Sequence, residues 1–235
     1  MLRLRVIDLE TTGMEPPAEV IELAFADVEV SADGVAISPP SARLFRPVGP
    51  ILPETMAVHH ITEADIPASA PNCSIEQIRT VIWQPPHPDV FVAHNCEFER
   101  KFITDAVTGV APWICTYKVS LHVWPEAPRH TNQVLRYWRG LVLDPALAMP
   151  PHRAGPDAWV TAHLLAELLS QADPAEMLAW TDQPRPMPTI AFGKHKGSKW
   201  EEVPIDYLDW IGSQTDMDKD VAWHARHELD RRRHG

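Results

Sequence analysis

Two acidic residues lie one position apart near the beginning of the chain, at the end of an apolar segment. In the stretch "VIDLETTGM" (residues 6–14), Asp8 and Glu10 follow the apolar Val6 and Ile7. Side chains alternate along a strand, so both carboxylates face the same side and repel each other. Mg²⁺ and Mn²⁺ prefer such oxygen ligands. Taken alone, the pair is most simply a polar strand end, and other residues must decide whether it does chemistry.

Three further sites lie where predicted elements begin or end. His94, Asn95, Phe98 and Glu99 mark the end of a strand and the start of a helix. His152 lies on a loop, and Asp157 follows it by five residues in the first turn of a long helix. Carboxylates gathered from such positions could hold two divalent cations about 3.5–4 Å apart, an arrangement that cleaves phosphodiesters. A histidine has a pKa near working pH and could take the proton from the attacking water.

Three motifs carry a family resemblance. The stretches "DLETTG", "HNCEFERKF" and "HRAGPDAWVTAHLL" resemble, in this order, the exonuclease motifs of the DEDDh (DnaQ-like) 3′–5′ exonucleases, and "MAVHHITEADI" resembles the segment between the first two. The resemblance covers roughly residues 3–170. It implies a ribonuclease H-like fold and two Mg²⁺ or Mn²⁺ ions per active site. The implied activity is release of mononucleotides from DNA 3′ ends, on single strands and on duplex ends, in repair, recombination or mismatch processing.

The resemblance also implies roles for individual residues. Asp8 would bridge both ions, Glu10 and Asp157 would complete the tighter site, and His152 would be the general base. The family places Asp where this chain has Glu99. The longer side chain either still serves as a ligand, through water, or crowds the second ion and slows turnover.

Substrate contacts follow from the same resemblance. The loop after the first motif is expected to cover the last base, with Met14 packing or wedging against it. Other residues are expected near the substrate strand. The expected substrate-binding residues are Thr11, Thr12, Gly13, Met14, His59, Asn95 and Phe98.

Apolar periodicity predicts an α/β fold. Alternating or continuous apolar runs predict strands, and apolar residues three to four apart predict helices. Strands are expected over 3–9, 19–30, 41–49, 90–95 and 113–116, and helices over 54–66 (with or without a break), 74–82 capped by Ser74, 96–107, 131–138 capped by Thr131, and 156–170. This order predicts a mixed five-stranded sheet flanked by helices, plus a small C-terminal module.

Proline usage and charge indicate two parts. The segment 181–188, "TDQPRPMP", reads as a linker between an exonuclease domain (1–180) and a module (189–235) that also contains a predicted charged helix over 217–233. Residues 1–185 carry a net charge of −10 and residues 186–235 a net charge of −1. Such acidity argues against strong nonspecific binding of nucleic acid, although it does not exclude an enzyme that holds a strand end through metal ions.

The C-terminal module contains a basic, glycine-containing loop with Lys194, Lys196 and Lys199. The loop could contact phosphates, although it lacks the spacing of a P-loop. The stretch "FGKHKGSKWEEVPIDYLDWI" resembles a small extension found in some bacterial members of the family. The partner of this module is unknown.

Cysteine usage and hydropathy bear on location. Three cysteines without CxxC pairing suggest a reducing cytosol and no structural zinc. No apolar run reaches the length of a membrane span, and the start of the chain lacks the pattern of a signal peptide. We therefore expect a cytoplasmic protein with no membrane partner.

Two other functions remain open. One is a polymerase proofreading subunit or an exoribonuclease of the same superfamily, and the C-terminal extension argues against the proofreading subunit. The other is a catalytically weakened nucleic-acid-binding protein, in which Glu99 has disabled the metal site.

Overall fold

The computed structural model describes residues 1–234, which fold into two compact units, one over residues 1–179 and one that begins at Trp180. The first unit contains a mixed sheet of six strands. The strands are β1 (Leu2–Thr11), β2 (Val20–Ser31), β3 (Gly34–Ile37), β4 (Ser41–Leu44), β5 (Val90–Ala93) and β6 (Trp113–Cys115).

Helices cover the sheet and form most of the second unit. In chain order they are α1 (Pro53–His59), α2 (Ile75–Ile82), α3 (Glu99–Phe102), α4 (Asp105–Thr108), α5 (Thr116–Val123), α6 (Asn132–Trp138), α7 (Pro145–Ala148), α8 (Ala154–Leu169), α9 (Pro174–Asp182), α10 (Ile205–Ser213) and α11 (Lys219–His234). Short 3₁₀ turns lie at Glu63–Asp65, Gly193–His195 and Trp200–Glu202. None of the described helices is both long and apolar enough to cross a bilayer.

The sheet order brings the ends of three strands to one edge. The order is β3-β2-β1-β5-β6, with β4 also paired to β2. Strand β1 runs antiparallel to β2 but parallel to β5, which is parallel to β6. Parallel neighbours end at the same edge, so the residues that follow β5 lie beside the end of β1, where Asp8 and Glu10 are.

The two faces of β1 have different partners. Ile7 and Leu9 belong to an apolar core that includes Ile78 and Ile82 of α2. The even-numbered residues point to the opposite face, where α8 packs on β1 and β2. Asp8 and Glu10 therefore lie on the face covered by α8, the helix that carries Asp157.

The prediction of an α/β sheet flanked by helices is confirmed, but the number of strands was wrong. The strand that was not predicted is β3, which precedes Pro39-Pro40. The strand expected over 41–49 ends at Leu44. Strands β3 and β4 pair with two successive parts of β2. Prolines cannot donate to a strand ladder, so the chain leaves β2 at Pro39-Pro40 and rejoins it one residue out of step.

The helix predictions succeed where a cap or a long apolar stripe supports them. Ser74 caps α2 by accepting the Gln77 N–H at 3.1 Å. Helix α6 forms, although the Thr131 side chain makes no capping hydrogen bond. The helix predicted over 54–66 is broken at His60, which has a φ of 57°.

The single helix predicted over 96–107 was wrong. The segment forms a turn followed by α3 and α4, with extended backbone at Thr104 between them. The break lets Ile103 and Val107 both enter the core of the first unit, where they are 1% and 2% exposed. One continuous helix would spread its apolar residues around a single stripe, and the sequence pattern does not distinguish the two arrangements.

The unit that begins at Trp180 has an apolar core of its own, formed mainly by α10 and α11. Its buried members are Ile190, Trp200, Val203, Leu208, Ile211, Val221, Ala225 and Leu229. The charged helix expected over 217–233 is confirmed as α11.

Candidate active site

Three carboxylates converge where β1 meets the beginning of α8. Asp8, Glu10 and Asp157 each place a carboxylate oxygen within 4.8 Å of the others. Asp8 is half-buried, whereas Glu10 and Asp157 are buried. Strand alternation points the first two toward α8, and the first turn of that helix supplies the third.

Hydrogen bonds from the preceding loop and from α6 orient Asp157. The backbone N–H of His152 donates to Oδ2 at 2.6 Å, and Gln133 Nε2 donates to Oδ1 at 3.1 Å. His152 adopts a left-handed backbone with a φ of 58°, and the residue is exposed. The spacing of five residues between His152 and Asp157 thus has a structural cause, because it lets the loop close on the carboxylate.

An ion pair between the half-buried Arg153 and the buried Glu22 holds the same loop against the sheet. Arg153 donates to both carboxylate oxygens of Glu22, Nε at 2.9 Å and Nη2 at 2.6 Å, and the Ala154 N–H also donates to Glu22. Glu22 lies directly opposite Glu10 in the β1–β2 register. The pair was not predicted, and the only signal for it is Glu22, the one charged residue within the apolar run 20–26 of β2.

The electrostatics of the cluster leave it short of positive charge. Burial, followed by the charges of Asp157, Glu10, Glu99 and Glu22, raises the pKa of Asp8 well above its usual range. Burial and the neighbouring carboxylates raise the pKa of Glu10 to about 8, with Arg153 opposing them. In the described part of the chain, no lysine or arginine forms an ion pair with Asp8, Glu10 or Asp157. Crowded carboxylates without a cation are the donor set that divalent Mg²⁺ or Mn²⁺ requires, so the residues fit such ions.

Glu99 lies near this cluster, at the beginning of α3. The side chain is buried, and its Oε2 atom has no hydrogen-bond partner among the described residues. Burial raises the pKa of Glu99 well above its usual range, and Cys115 and Glu10 add smaller contributions. A buried carboxylate oxygen without a partner is costly, and a cation or an ordered water would satisfy it.

All four carboxylates line one cavity of about 700 Å³. The cavity wall also contains most of the residues expected to bind substrate. These are Thr11, Gly13, Met14, His59, Asn95 and Phe98, together with His152. Thr12 is the exception in the expected set, because its hydroxyl accepts the Glu19 N–H at 2.9 Å and braces the turn after β1.

The turn after β1 is tightly built. The Thr11 hydroxyl donates to the Gly13 carbonyl at 2.6 Å, and a Cβ on Gly13 would lie only 3.2 Å from the Cβ of Ala18. Close approach, rather than a positive φ, therefore explains the glycine. Met14 follows at the tip of this turn and is 70% exposed.

Two histidines of the wall are held by local contacts. His94 places Nδ1 3.0 Å from the Thr116 hydroxyl and Nε2 2.8 Å from the His130 carbonyl, so both ring nitrogens are engaged. Burial lowers the pKa of His94 to about 4, which agrees with a structural role. His59 accepts the Ile61 N–H at Nδ1 at 2.9 Å, which leaves the proton on Nε2.

Known proteins resemble the chain over most of its length. The exonuclease family RNase_T matches residues 6–165. Exodeoxyribonuclease 10 of Escherichia coli K12 is 33% identical over 233 residues, which is 97% of this chain and 99% of the relative. Among solved structures, Exonuclease X in complex with 5′ overhanging duplex DNA is 32% identical with a TM-score of 0.61, covering 76% of this chain and 99% of that one.

A more distant structure supports the fold alone. The nuclease domain of 3′hExo, a DEDDh family member bound to rAMP, is 17% identical with a TM-score of 0.57 and covers 74% of this chain and 94% of that one. The family match, the relative and the carboxylate cluster at the end of β1 agree with one another. The chain belongs to the exonuclease family RNase_T.

Proposed function

We propose that the protein is a metal-dependent 3′–5′ exodeoxyribonuclease that releases mononucleotides from single-stranded and duplex 3′ ends. The observation that carries the proposal is the convergence of Asp8, Glu10 and Asp157, without a neutralising cation, in the wall of a 700 Å³ cavity. The relative at 33% identity is named an exodeoxyribonuclease, and the structure at 32% identity contains duplex DNA. Repair, recombination or mismatch processing would be its setting.

The carboxylates would hold two Mg²⁺ or Mn²⁺ ions. Asp8 would contact both ions, and Glu10 and Asp157 would complete one of the two sites. The charges of Glu10 and Glu99 both act on the Asp8 carboxylate, which supports this assignment. When bound, two such ions act as Lewis acids toward the attacking water and the leaving oxygen. The buried oxygen of Glu99 would serve the second ion, directly or through a water.

His152 would act as the general base. Its side chain is exposed to the cavity, while the N–H of the same residue fixes the Asp157 carboxylate. The Glu22–Arg153 pair holds the next residue against the sheet, so the imidazole is presented from an anchored loop. In this role, the ring accepts the proton that the water loses on attacking the terminal phosphodiester.

Residues of the cavity wall would hold the terminal nucleotide. Met14 and Phe98 offer apolar surface for the last base, while Thr11, Gly13, Asn95 and the Nε2–H of His59 offer polar contacts to sugar and phosphate. Thr12 would act indirectly, by bracing the turn. A Met14→Ala enzyme should digest duplex ends more slowly than wild type, and unchanged duplex digestion would remove Met14 from this role.

The proposal also divides the chain into two domains. Residues 1–180 would form the exonuclease domain and residues 189–235 a separate module, joined by the linker 181–188. A cytoplasmic location would suit an enzyme whose three cysteines form no disulfide. Cys96 and Cys115 are buried in the first unit, beside the segment that carries Glu99.

A gel assay on 5′-labelled single-stranded DNA tests the activity. Wild type, Asp8→Ala and Glu99→Asp are compared with Mg²⁺, with Mn²⁺ and with EDTA. We expect a ladder that shortens from the 3′ end, that EDTA abolishes and that Asp8→Ala lacks. A 5′-labelled RNA of the same sequence, digested faster than the DNA, would instead favour an exoribonuclease.

The Glu99→Asp variant separates the enzyme from a binding protein. Faster digestion by Glu99→Asp would show that the longer carboxylate is a working but slower ligand. If wild type digests nothing even with Mn²⁺ and Glu99→Asp restores digestion, the metal site is degenerate and the protein works by binding nucleic acid.

A further inference from the structure

The unit that begins at Trp180 carries a basic loop against an aromatic surface. We propose that this surface, formed by Lys194, Lys196, Tyr207 and Trp210, binds single-stranded nucleic acid separately from the catalytic cavity. Lysines would contact the phosphates, and Trp210 would stack on a base. We call these four residues the lysine–tryptophan surface.

The loop is held in one conformation by its own backbone. Gly197 N–H donates to the Ile190 carbonyl at 2.7 Å, and Ile190 N–H donates to the Ser198 carbonyl at 2.9 Å. Gly193 has a φ of 66°, and a Cβ there would lie 2.2 Å from the Tyr207 hydroxyl. A side chain at this position would have to displace Tyr207, so glycine suits the turn. The His195 ring, 4.8 Å from the Tyr207 ring, packs the loop against α10.

The lysines of the loop carry free charge. Lys194 and Lys196 are exposed, and neither forms an ion pair with any residue in the described range 1–234. Lys194 Nζ lies 5.1 Å from the centre of the Tyr207 ring. Lys199 makes only an exposed contact with Glu201 at 3.9 Å, and exposed pairs of this kind contribute little.

Two of the acidic residues nearby already have partners, whereas Asp206, next to Tyr207, is exposed and forms no ion pair among the described residues. Asp209 contacts Arg233 at 3.3 Å, and the Glu202 carboxylate accepts the Lys199 N–H at 3.1 Å. Elsewhere in the unit, Glu228 binds Arg231 and Arg232. Lys194 and Lys196 are thus left as unpaired positive charge on a unit whose net charge is close to zero.

An aromatic surface for a base lies beside these lysines. Tyr207 and Trp210 are stacked, with ring centres 5.3 Å apart and an angle of 28° between the rings. Trp210 is 46% exposed and does not belong to the apolar core of this unit. Cations that track a backbone, next to an exposed aromatic ring, are the combination by which proteins hold single strands without reading their sequence.

Binding measured without metal ions separates this surface from catalysis. The anisotropy of 5′-fluorescein dT20 is titrated with the full chain in EDTA over a range of salt concentrations. The double variant Lys194→Gln/Lys196→Gln is compared with Arg79→Gln/Lys219→Gln, which removes two charges elsewhere. We expect about fivefold weaker binding in the first variant only, and a slope of log affinity against log salt that is smaller by about 1.4.

A second pair of variants tests stacking. Trp210→Ala should weaken binding of dT20 about tenfold, and Trp210→Phe should recover much of it, because base–aromatic stacking tolerates the change of ring. Trp223→Ala is the matched control, since Trp223 is 41% exposed in the same unit but belongs to α11 and not to the lysine–tryptophan surface. An rU20 probe that behaves as dT20 does would extend the site to RNA.

Three results would overturn the proposal. The first is unchanged affinity in both the lysine and the tryptophan variants. The second is an equal loss in the charge control, which would mean that only net charge matters. The third is a loss confined to a 20-base-pair duplex probe. Because no hydrolysis occurs in EDTA, an inactive catalytic site would leave each of these readings intact.

Discussion

The two ends of β1 both carry buried charges, but only one end is neutralised. At the beginning of the strand, Arg3 and Arg5 lie directly opposite Glu29 and Asp27 of β2. At the other end, Glu10 lies directly opposite Glu22, so two carboxylates face each other. The antiparallel register that pairs opposite charges at one end of β1 places like charges together at the other.

Arg5 shows what a completed charge site looks like. The side chain is 1% exposed and binds both oxygens of Asp27 at 2.7 Å. The carbonyls of Ile82, Gln84 and Pro86 accept its remaining N–H groups. No polar atom of this guanidinium is left for a ligand, so Arg5 and Asp27 serve the fold.

The carboxylate cluster differs because no lysine or arginine of the described chain forms an ion pair with Asp8, Glu10 or Asp157. Arg153 is the cation that opposes the rise in the pKa of Glu10, yet both of its side-chain hydrogen bonds go to Glu22. Burying like charges without a partner destabilises the folded chain. The comparison teaches that buried charge with all partners present marks structure, whereas buried charge lacking a counter-ion marks a place for a ligand.

Breaking the neutralised end should have the largest effect on stability. Arg5→Met leaves the Asp27 carboxylate buried without a cation, so we expect a loss of about 3–5 kcal/mol in the free energy of unfolding. Urea unfolding in EDTA measures it. The double variant Arg5→Met/Asp27→Leu should recover much of the loss, and a single variant that loses less than about 1 kcal/mol would contradict a buried, tightly bonded pair.

Binding of metal ions to the carboxylate cluster at the end of β1 should stabilise the protein. A ligand at 100 times its dissociation constant, bound only by the folded state, adds about 2.7 kcal/mol. Mn²⁺ or Mg²⁺ should therefore raise the melting temperature of wild type, whereas Asp8→Asn should respond much less. A similar response in both would place the ions elsewhere. Asp33→Asn, in the exposed turn before β3, is the control for loss of one surface charge.

The Glu22–Arg153 pair links the two kinds of charge site, since it is neutral in itself but supports the cluster. Glu22→Gln loses the charge that engages Arg153, so the loop that carries His152 should shift. We expect kcat to fall about tenfold with a smaller change in KM, the usual scale for residues that orient ligands and bases.

Glu29→Gln provides the matched control for that variant. Glu29 also faces an arginine, Arg3, across β1 and β2, but at the neutralised end of the strand. Its kcat should equal that of wild type. If Glu22→Gln also keeps the wild-type kcat, the pair supports the fold alone.

The sequence was sufficient to predict which acidic residues would meet. Asp8 and Glu10 are fixed to one face by strand alternation, and the position of Asp157 in the first turn of a long helix places it at an element edge. The parallel pairing of β1 with β5 then brings Glu99 into the same cavity. The strand alternation and the helix start are local patterns, whereas the pairing of Leu4 with Val90 joins distant parts of the chain.

Other parts of the site depend on contacts that sequence spacing does not reveal. Glu22 and Arg153 are 131 residues apart, and Gln133 reaches Asp157 from a different helix. Strand β3 was missed because it is short and mostly exposed, so it shows little apolar alternation. The division of 96–107 into α3 and α4 is decided by how Ile103 and Val107 fill the core.

The smallest expected effect is the pH dependence of the metal-free protein. The pKa of Glu10 is raised from 4.5 in the unfolded chain to about 8 in the folded one. Between these values the folded state holds a proton that the unfolded state has released, so raising the pH favours unfolding. Metal-free wild type should therefore lose stability from about pH 5 to pH 8 relative to Glu10→Gln, by at least about 1 kcal/mol.

The melting temperatures of the two proteins in EDTA, compared at each pH, isolate this contribution from that of other titrating groups. Parallel curves would mean that a positive charge already balances the Glu10 carboxylate in the folded chain, so that its pKa is not raised there. With saturating Mg²⁺, the stability of wild type should instead increase as the pH rises, because the ions bind only the deprotonated carboxylates. Arg5 and Asp27 offer no such reversal, since their charges are complete without a ligand.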